Sequence, residues 1–73
     1  MVGKRSITIS GHRTSISVEE PFWQALGDIA RSRNVSIAAL IGEIDRKRPS
    51  EGGLSSAIRL HVLAWYRNAE KRP

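Results

Sequence analysis

The side chains of this sequence that are best suited to recognise another molecule are those of Arg13, Ser15 and Ser17. They stand at alternate positions, so in an extended chain they all point to the same side. Arginine can form two hydrogen bonds with guanine, serine can bond several base edges, and the major groove of DNA admits a two-stranded β-ribbon. The alternation by itself fits a solvated strand face better than a face that contacts DNA bases. The elements that follow the strand make the DNA-contacting interpretation the stronger of the two.

Other chemistry has little support in the sequence. His12 and His61 are far apart, and neither adjoins the nucleophile and acid that a catalytic triad needs. Glu43 and Asp45 are two residues apart, so a helix points their carboxylates in different directions. The chain has no cysteine and no glycine-rich phosphate loop. We therefore predict no enzymatic activity, no catalytic residue, no metal site and no cofactor.

The charge of the chain is positive and unevenly distributed. Its 73 residues carry a net charge of +5, and residues 1–18 contain Lys4, Arg5 and Arg13 but no acidic residue. Such a balance suits a polyanionic partner, either nucleic acid or an anionic membrane surface, although it also promotes solubility. No apolar run approaches the ~18 residues that span a bilayer. The N-terminus has no apolar signal segment, and we expect a cytoplasmic protein that does not bind membranes.

The reading residues belong to a short strand, 13–18, whose other face is apolar. Residues 1–12 form either an N-terminal arm or a second strand of a hairpin, and the sequence leaves both open. The run 6–10 also alternates, so Ser6, Thr8 and Ser10 are an alternative set of reading residues. If a hairpin forms, the pair Gly11-His12 suits a type II′ turn.

Three helices are predicted after the strand, at 20–33, 36–47 and 54–69. Pro21 suits the first turn of helix 1, and Asn34 can adopt the left-handed conformation that ends it. Ser36 is a good N-cap for helix 2. Helix 3 is apolar nearly all round between Leu60 and Tyr66, which predicts burial on more than one side.

A chain of this size buries little apolar surface, and below about 70–80 residues a disulfide, a metal or a second subunit often contributes to stability. Because the first two are excluded, we expect a homodimer. Ile58 and Trp65 of helix 3 should be buried in it. The apolar strand face and the helix stripes should meet in one dimer core, made by Ile16, Val18, Leu26, Leu40 and Ile41.

The order of these elements resembles the ribbon-helix-helix family of DNA-binding proteins, which includes the Arc and methionine repressors. The resemblance rests on the segment Arg13-Thr14-Ser15-Ile16-Ser17-Val18-Glu19-Glu20-Pro21-Phe22-Trp23-Gln24-Ala25-Leu26 and on Val35-Ser36-Ile37-Ala38-Ala39-Leu40-Ile41. The chain is most similar to a bacterial branch with a Gly-His-Arg-Thr-Ser-Ile-Ser strand, a Phe-Trp pair and a Leu-Ser-Ser-Ala-Ile-Arg-like C-terminal helix. That likeness covers about residues 4–66.

The resemblance implies a mainly α fold with a short β-ribbon, a ribbon-helix-helix homodimer with an additional C-terminal helix. In the family two chains pair their strands, and the ribbon enters the major groove of double-stranded DNA. This implies base contacts by Arg13, Ser15 and Ser17. It also implies phosphate contacts by the backbone amides of Val35 and Ser36, because helix N-termini favour anions. For Lys4 and Arg5 we expect further phosphate contacts.

The function expected is therefore that of a sequence-specific DNA-binding protein, a transcriptional regulator. The alternative from another class is a protein-interaction module, an antitoxin-like or adaptor dimer. In that alternative helix 3 and the basic tail bind a partner protein of unknown identity. The acid-free N-terminal segment favours DNA, and the apolar surface of helix 3 favours a protein partner.

Overall fold

The computed structural model describes residues 2–48 and 52–70 as a two-stranded sheet followed by three helices. The element bounds, in chain order, are β1 Val2–Ile9, β2 His12–Glu19, α1 Glu20–Ser32, α2 Ile37–Lys47 and α3 Leu54–Glu70. The predicted class, mainly α with a short β-ribbon and an additional C-terminal helix, is confirmed.

The ribbon is a hairpin within one chain. β1 and β2 pair antiparallel with a register that runs from Ile9 opposite His12 to Val2 opposite Glu19. Ser10 and Gly11 form the two-residue turn, and both have positive φ, at 51° and 80°. This is the pattern of a type I′ turn, whose twist matches that of the strands. The predicted Gly11-His12 turn of type II′ is wrong by one residue, because Ser10 adopts the left-handed conformation that the sequence did not signal.

The first two helices are joined by a tight turn that the chain satisfies with its own hydrogen bonds. Asn34 has φ 57°, and its N–H donates to the carbonyl of Arg31 at 3.2 Å. The N–H of Val35 donates to the carbonyl of Ala30 at 3.0 Å, which completes a Schellman motif. The Ser36 hydroxyl then accepts the N–H of Ala39 at 3.0 Å and caps α2. These bonds hold α2 at a set angle to α1.

The core lies between the inner face of the hairpin and the three helices. The five residues that we predicted for the dimer core are each at most 1% exposed within the single chain. They pack with Ile29 of α1, Ile44 of α2, and Ile58 and Val62 of α3. One chain thus assembles this core because α3 contributes to it.

Helix α3 is buried on one side rather than on several. Ile58 is fully buried and Trp65 is half-buried against the core. Leu60, Leu63 and Tyr66, in contrast, are 64%, 52% and 43% exposed. The expectation of burial on more than one side does not hold for the single chain, because neither the hairpin nor the other helices reach this face.

We predict that Ile58→Ala lowers the free energy of unfolding by about 2–5 kcal/mol, because it removes a fully buried side chain and leaves a cavity. The control on the same helix is Asn68→Ala, which should change stability by less than about 0.5 kcal/mol because Asn68 is an exposed polar residue of α3. Urea denaturation followed by circular dichroism measures both. Equal losses for the two variants would contradict the position of α3 described here.

Candidate nucleic-acid interface

The outer face of the hairpin carries polar side chains from both strands. In the register of the sheet, Thr8 lies opposite Arg13, Ser6 opposite Ser15, and Lys4 opposite Ser17. Residues directly opposite each other share one face of a sheet. Five of these side chains are exposed and Ser17 is half-buried. The structure thus places the predicted base contacts together and adds β1 residues beside them, including Ser6 and Thr8 of the alternative reading strand.

These cross-strand pairs are the closely spaced kind. The N–H of Ser17 points away from β1 and donates to the hydroxyl of Ser55 at 3.0 Å. Lys4 and Ser17 are therefore a non-hydrogen-bonded pair, and by alternation so are the other two outward pairs. Their Cα atoms lie about 4.5 Å apart in this geometry. The outer face is consequently a compact double row of hydrogen-bonding groups.

Helix α3 holds the outer edge of β2. Besides the bond from Ser17 to Ser55, the Arg59 guanidinium donates to the Ser17 carbonyl at 3.2 Å and to the Glu19 carboxylate at 2.8 Å. The family resemblance implied that β2 pairs with the same strand of a second chain. In this structure one edge of β2 is paired with β1 of the same chain, and the other is occupied by α3 at Ser17. The ribbon is therefore intramolecular.

Ion pairs neutralise the acidic side chains that the structure describes. Glu19 pairs with Arg59, Glu20 with Arg5, Asp28 with Arg31, Glu43 with Arg33 and Lys47, and Asp45 with Arg48. The Arg59 hydrogen bond lowers the pKa of Glu19. The pKa of Glu43 is lowered by its bonds to Arg33 and Lys47.

The cations that remain without such a partner among the described residues are Lys4, Arg13, Arg46 and Arg67. Lys4 and Arg13 lie on the outer face of the hairpin, and Arg46 lies on α2 beside the hairpin turn, where Thr8 and Ser10 line the same groove. Positive charge without a counter-charge is thus concentrated at and beside the hairpin, as a polyanion-binding surface requires.

Arg5 is not part of this surface. It lies on the inner side of β1, opposite Ile16, where its guanidinium pairs with Glu20 at 2.6 Å and stacks 4.5 Å from the Trp23 ring centroid. A phosphate contact by Arg5 would require both interactions to break. The structure therefore corrects this prediction: Lys4 faces outward, and its neighbour Arg5 anchors β1 to α1.

The predicted amide contacts at the start of α2 also need a correction. The N–H of Val35 is committed to the carbonyl of Ala30, so it has no hydrogen left for a phosphate. The Ser36 hydroxyl serves as the N-cap, while N–H groups in the first turn of a helix have no intrahelical acceptor. Of the two predicted amides, only that of Ser36 is left as a possible donor.

Arg46 is a residue that the sequence analysis did not single out. A signal for it was present. Ala38, Gly42 and Arg46 are spaced by four, so they share one face of α2 that has no large side chain before the arginine. A helix face of this kind admits another chain or a ligand close to its backbone.

We predict that Arg59→Gln raises the pKa of Glu19 toward its ordinary value, because the hydrogen bond that lowers it is removed. With a lowered pKa in the folded state, Glu19 adds stability at neutral pH that is lost as the pH falls through that pKa. The variant should therefore lose less stability on acidification than the original chain. Carboxyl chemical shifts followed by NMR measure the pKa, with Glu43 as the internal control. A Glu19 pKa that is the same in the variant and in the original chain would contradict the contact with Arg59.

No helix in the described part of the chain is both long and apolar enough to cross a membrane.

No curated protein and no solved structure matches the chain. A family model described as a ribbon-helix-helix domain matches residues 2–66. This match covers both strands, α1, α2 and most of α3, in agreement with the order of elements in the structure. Members of this family are generally DNA-binding transcription regulators or antitoxins, act as dimers on DNA, and are typically not enzymes. The chain belongs to the ribbon-helix-helix family.

Proposed function

We propose that this chain is a sequence-specific DNA-binding protein, and specifically a transcriptional regulator, which inserts its β1–β2 hairpin into the major groove. The observation that carries the proposal is the outer face of the hairpin. It presents the side chains of Lys4, Ser6, Thr8, Arg13, Ser15 and Ser17. All of these can donate hydrogen bonds, and none is a carboxylate. A two-stranded ribbon has the width that the major groove admits.

The residues on this face have different roles in the proposal. Arg13 contacts a base edge, with guanine as the preferred base because it offers two acceptors to one guanidinium. Ser15 and Ser17 lie beside it and bond neighbouring base edges. Lys4 lies towards the open end of the hairpin and contacts a phosphate as a point charge. The Ser36 amide contributes a phosphate contact at the start of α2.

We further propose that the protein acts in the bacterial cytoplasm, without a cofactor and without enzymatic activity. Its specificity comes from the base contacts, whereas its affinity comes largely from phosphate contacts that displace counterions.

We also propose that two copies associate through the exposed face of α3. β1 pairs with one edge of β2, and α3 bonds the other edge at Ser17, so we propose that the contact with the second copy lies outside the ribbon. Leu60, Leu63 and Tyr66 form an exposed apolar row with a spacing of three, and such rows mark interaction sites. The row is symmetric about Leu63, so two antiparallel copies of α3 can place Leu60 of one chain beside Tyr66 of the other around a two-fold axis.

The same exposed row supports a second candidate function, a protein-interaction module of the antitoxin or adaptor kind. In this alternative the α3 face binds a different protein instead of its own copy. The basic tail invoked for it contains Lys71 and Arg72, which lie outside the described residues. The two functions differ in what they predict for the isolated chain: the first predicts specific binding to duplex DNA, and the second predicts none.

We predict that Arg13→Ala removes most of the difference in affinity between a selected DNA duplex and a random one. The loss of a base contact costs about 1–3 kcal/mol per site, whereas the loss of a phosphate contact weakens all sequences alike. Lys4→Ala should therefore lower both affinities and preserve their ratio. The measurement is fluorescence anisotropy with a duplex obtained by selection from a random pool. Discrimination that survives Arg13→Ala but disappears with Ser6→Ala and Thr8→Ala would assign base reading to β1 instead.

We predict that Leu63→Lys converts a dimer into a folded monomer, because two lysines would be buried against each other at the two-fold axis. Asn68→Lys is the matched control, since it adds the same charge at an exposed polar position of α3. Sedimentation equilibrium measures the association, and circular dichroism verifies the fold. If the original chain is monomeric at all concentrations tested, the α3 dimer is wrong. A dimer that persists with Leu63→Lys would place the contact elsewhere; Ser6→Pro then tests the open edge of β1.

A further inference from the structure

A groove runs between the turn end of β1 and the helix α2, with a volume of ≈310 Å³. Thr8 and Ser10 line it on the hairpin side. On the helix side it is lined by Ala38, Ala39, Gly42 and Arg46. The groove adjoins the outer face of the hairpin, because Thr8 also lies opposite Arg13 on that face.

Arg46 is the charged group of this groove, and the acids near it on α2 are occupied. Asp45 accepts the Nε–H of Arg48 at 2.6 Å, and Glu43 is shared by two other cations. Among the described residues no carboxylate pairs with Arg46, and its side chain is exposed. A guanidinium in this state keeps its donors available for an anion.

Gly42 lets β1 pack closely against α2 at the floor of the groove. A Cβ at this residue would lie 3.2 Å from Ile9 Cγ2, which is a tight contact, and 3.7 Å from Arg46 Nη1, which is an ordinary one. The guanidinium of Arg46 therefore lies against the small-residue face of α2 beside the groove. The remaining helix residues at the groove are Ala38 and Ala39, both exposed. The N–H of Ala39 already donates to the Ser36 hydroxyl, whereas the N–H of Ala38, in the first turn of α2, has no intrahelical acceptor.

We propose that this groove binds one phosphate of the DNA backbone, with Arg46 as its principal ligand and the hydroxyl of Thr8 as a second donor. The proposal rests on the DNA-binding function proposed above and extends it. Arg13, Thr8, the groove and Arg46 follow one another across the molecule from β2 through β1 to α2. A duplex whose bases face Arg13 would therefore present a flanking phosphate to Arg46. Charge-assisted bonds from arginine to phosphate are among the stronger hydrogen bonds in proteins.

The test compares Arg46→Gln with Arg67→Gln, which removes a cation near the C-terminal end of α3 that likewise has no acidic partner among the described residues. Affinity for selected and random duplexes is measured over a range of salt concentrations. Arg46→Gln should lower the affinity for the selected and the random duplex by the same factor. It should also reduce the magnitude of the slope of log K against log salt by about 0.9 for each phosphate that the protein no longer neutralises. Arg67→Gln should leave the slope unchanged. Equal slopes for the two variants would overturn the proposal, since the effect would then be one of total charge.

The second arm uses the hydroxyl. Thr8→Val keeps the shape of the side chain and removes the donor, and Thr14→Val is its control on the opposite face of the hairpin. If Thr8 and Arg46 hold the same phosphate, the effects of Thr8→Val and Arg46→Gln on affinity should not be additive. Strict additivity would remove Thr8 from the site.

The two proposals fail in different ways. An original chain that binds neither duplex at low salt contradicts the DNA-binding function itself. An original chain that binds DNA, together with an Arg46→Gln variant that binds it equally well, contradicts only the phosphate site. Inorganic phosphate provides the remaining comparison. Inorganic phosphate at millimolar concentration should shift the amide NMR resonances of Thr8 and Ser10 and leave those of α3 unchanged, which would support an anion site. Shifts of similar size in Thr8, Ser10 and α3 would argue against the site.

Discussion

The structure depends on the way in which α3 completes the hairpin. A two-stranded hairpin is at best marginally stable in water, because one face and both edges are left without partners. Here Ile58 and Val62 help to cover the inner face, and the Ser55 hydroxyl and the Arg59 guanidinium bond the backbone of Ser17 at the outer edge of β2. Without α3, the residues of β2 would lose part of their core and the only side-chain bonds to their outer edge that the described residues provide.

The same arrangement creates the charge pattern of the surface. Arg59 and Arg5 hold the ribbon by pairing with Glu19 and Glu20 at the strand-to-helix junction. The acids that flank the hairpin are thereby neutralised. Glu19 continues the outward row of β2 at its last residue, where Arg59 of α3 pairs with it. Lys4 and Arg13 form no ion pair with a described carboxylate, so their charges are left uncompensated. The ion pairs at the strand-to-helix junction thus have two effects: they stabilise the hairpin, and they leave the positive charges of the candidate interface without nearby counter-charges.

Membership of the ribbon-helix-helix family raises the question of where a second chain would attach. The family's ribbon is made by strands of two chains, whereas this chain supplies both strands itself. Its core is likewise assembled within one chain, since all five residues expected at a dimer core are buried without a partner. The ribbon can therefore be complete in the monomer, and association is left to surfaces outside it. Apart from Val35, the large hydrophobic side chains that are exposed among the described residues all belong to this row on α3.

The sequence by itself determined the elements and the polarity of their faces. Strict alternation in residues 13–18 predicted a strand with one polar and one apolar face, and the left-handed tolerance of asparagine placed the end of α1 just before Asn34. These features follow from local conformational preferences and side-chain periodicity, which a sequence displays directly. Only the tertiary structure decided which contacts the faces make. It selected a hairpin over an arm, turned Arg5 inward to Glu20 and Trp23, committed the Val35 amide to α1, and brought Arg46 to the groove beside Thr8. Such choices depend on pairings between residues distant in the chain, and the free energies of the competing pairings are not encoded in any local pattern.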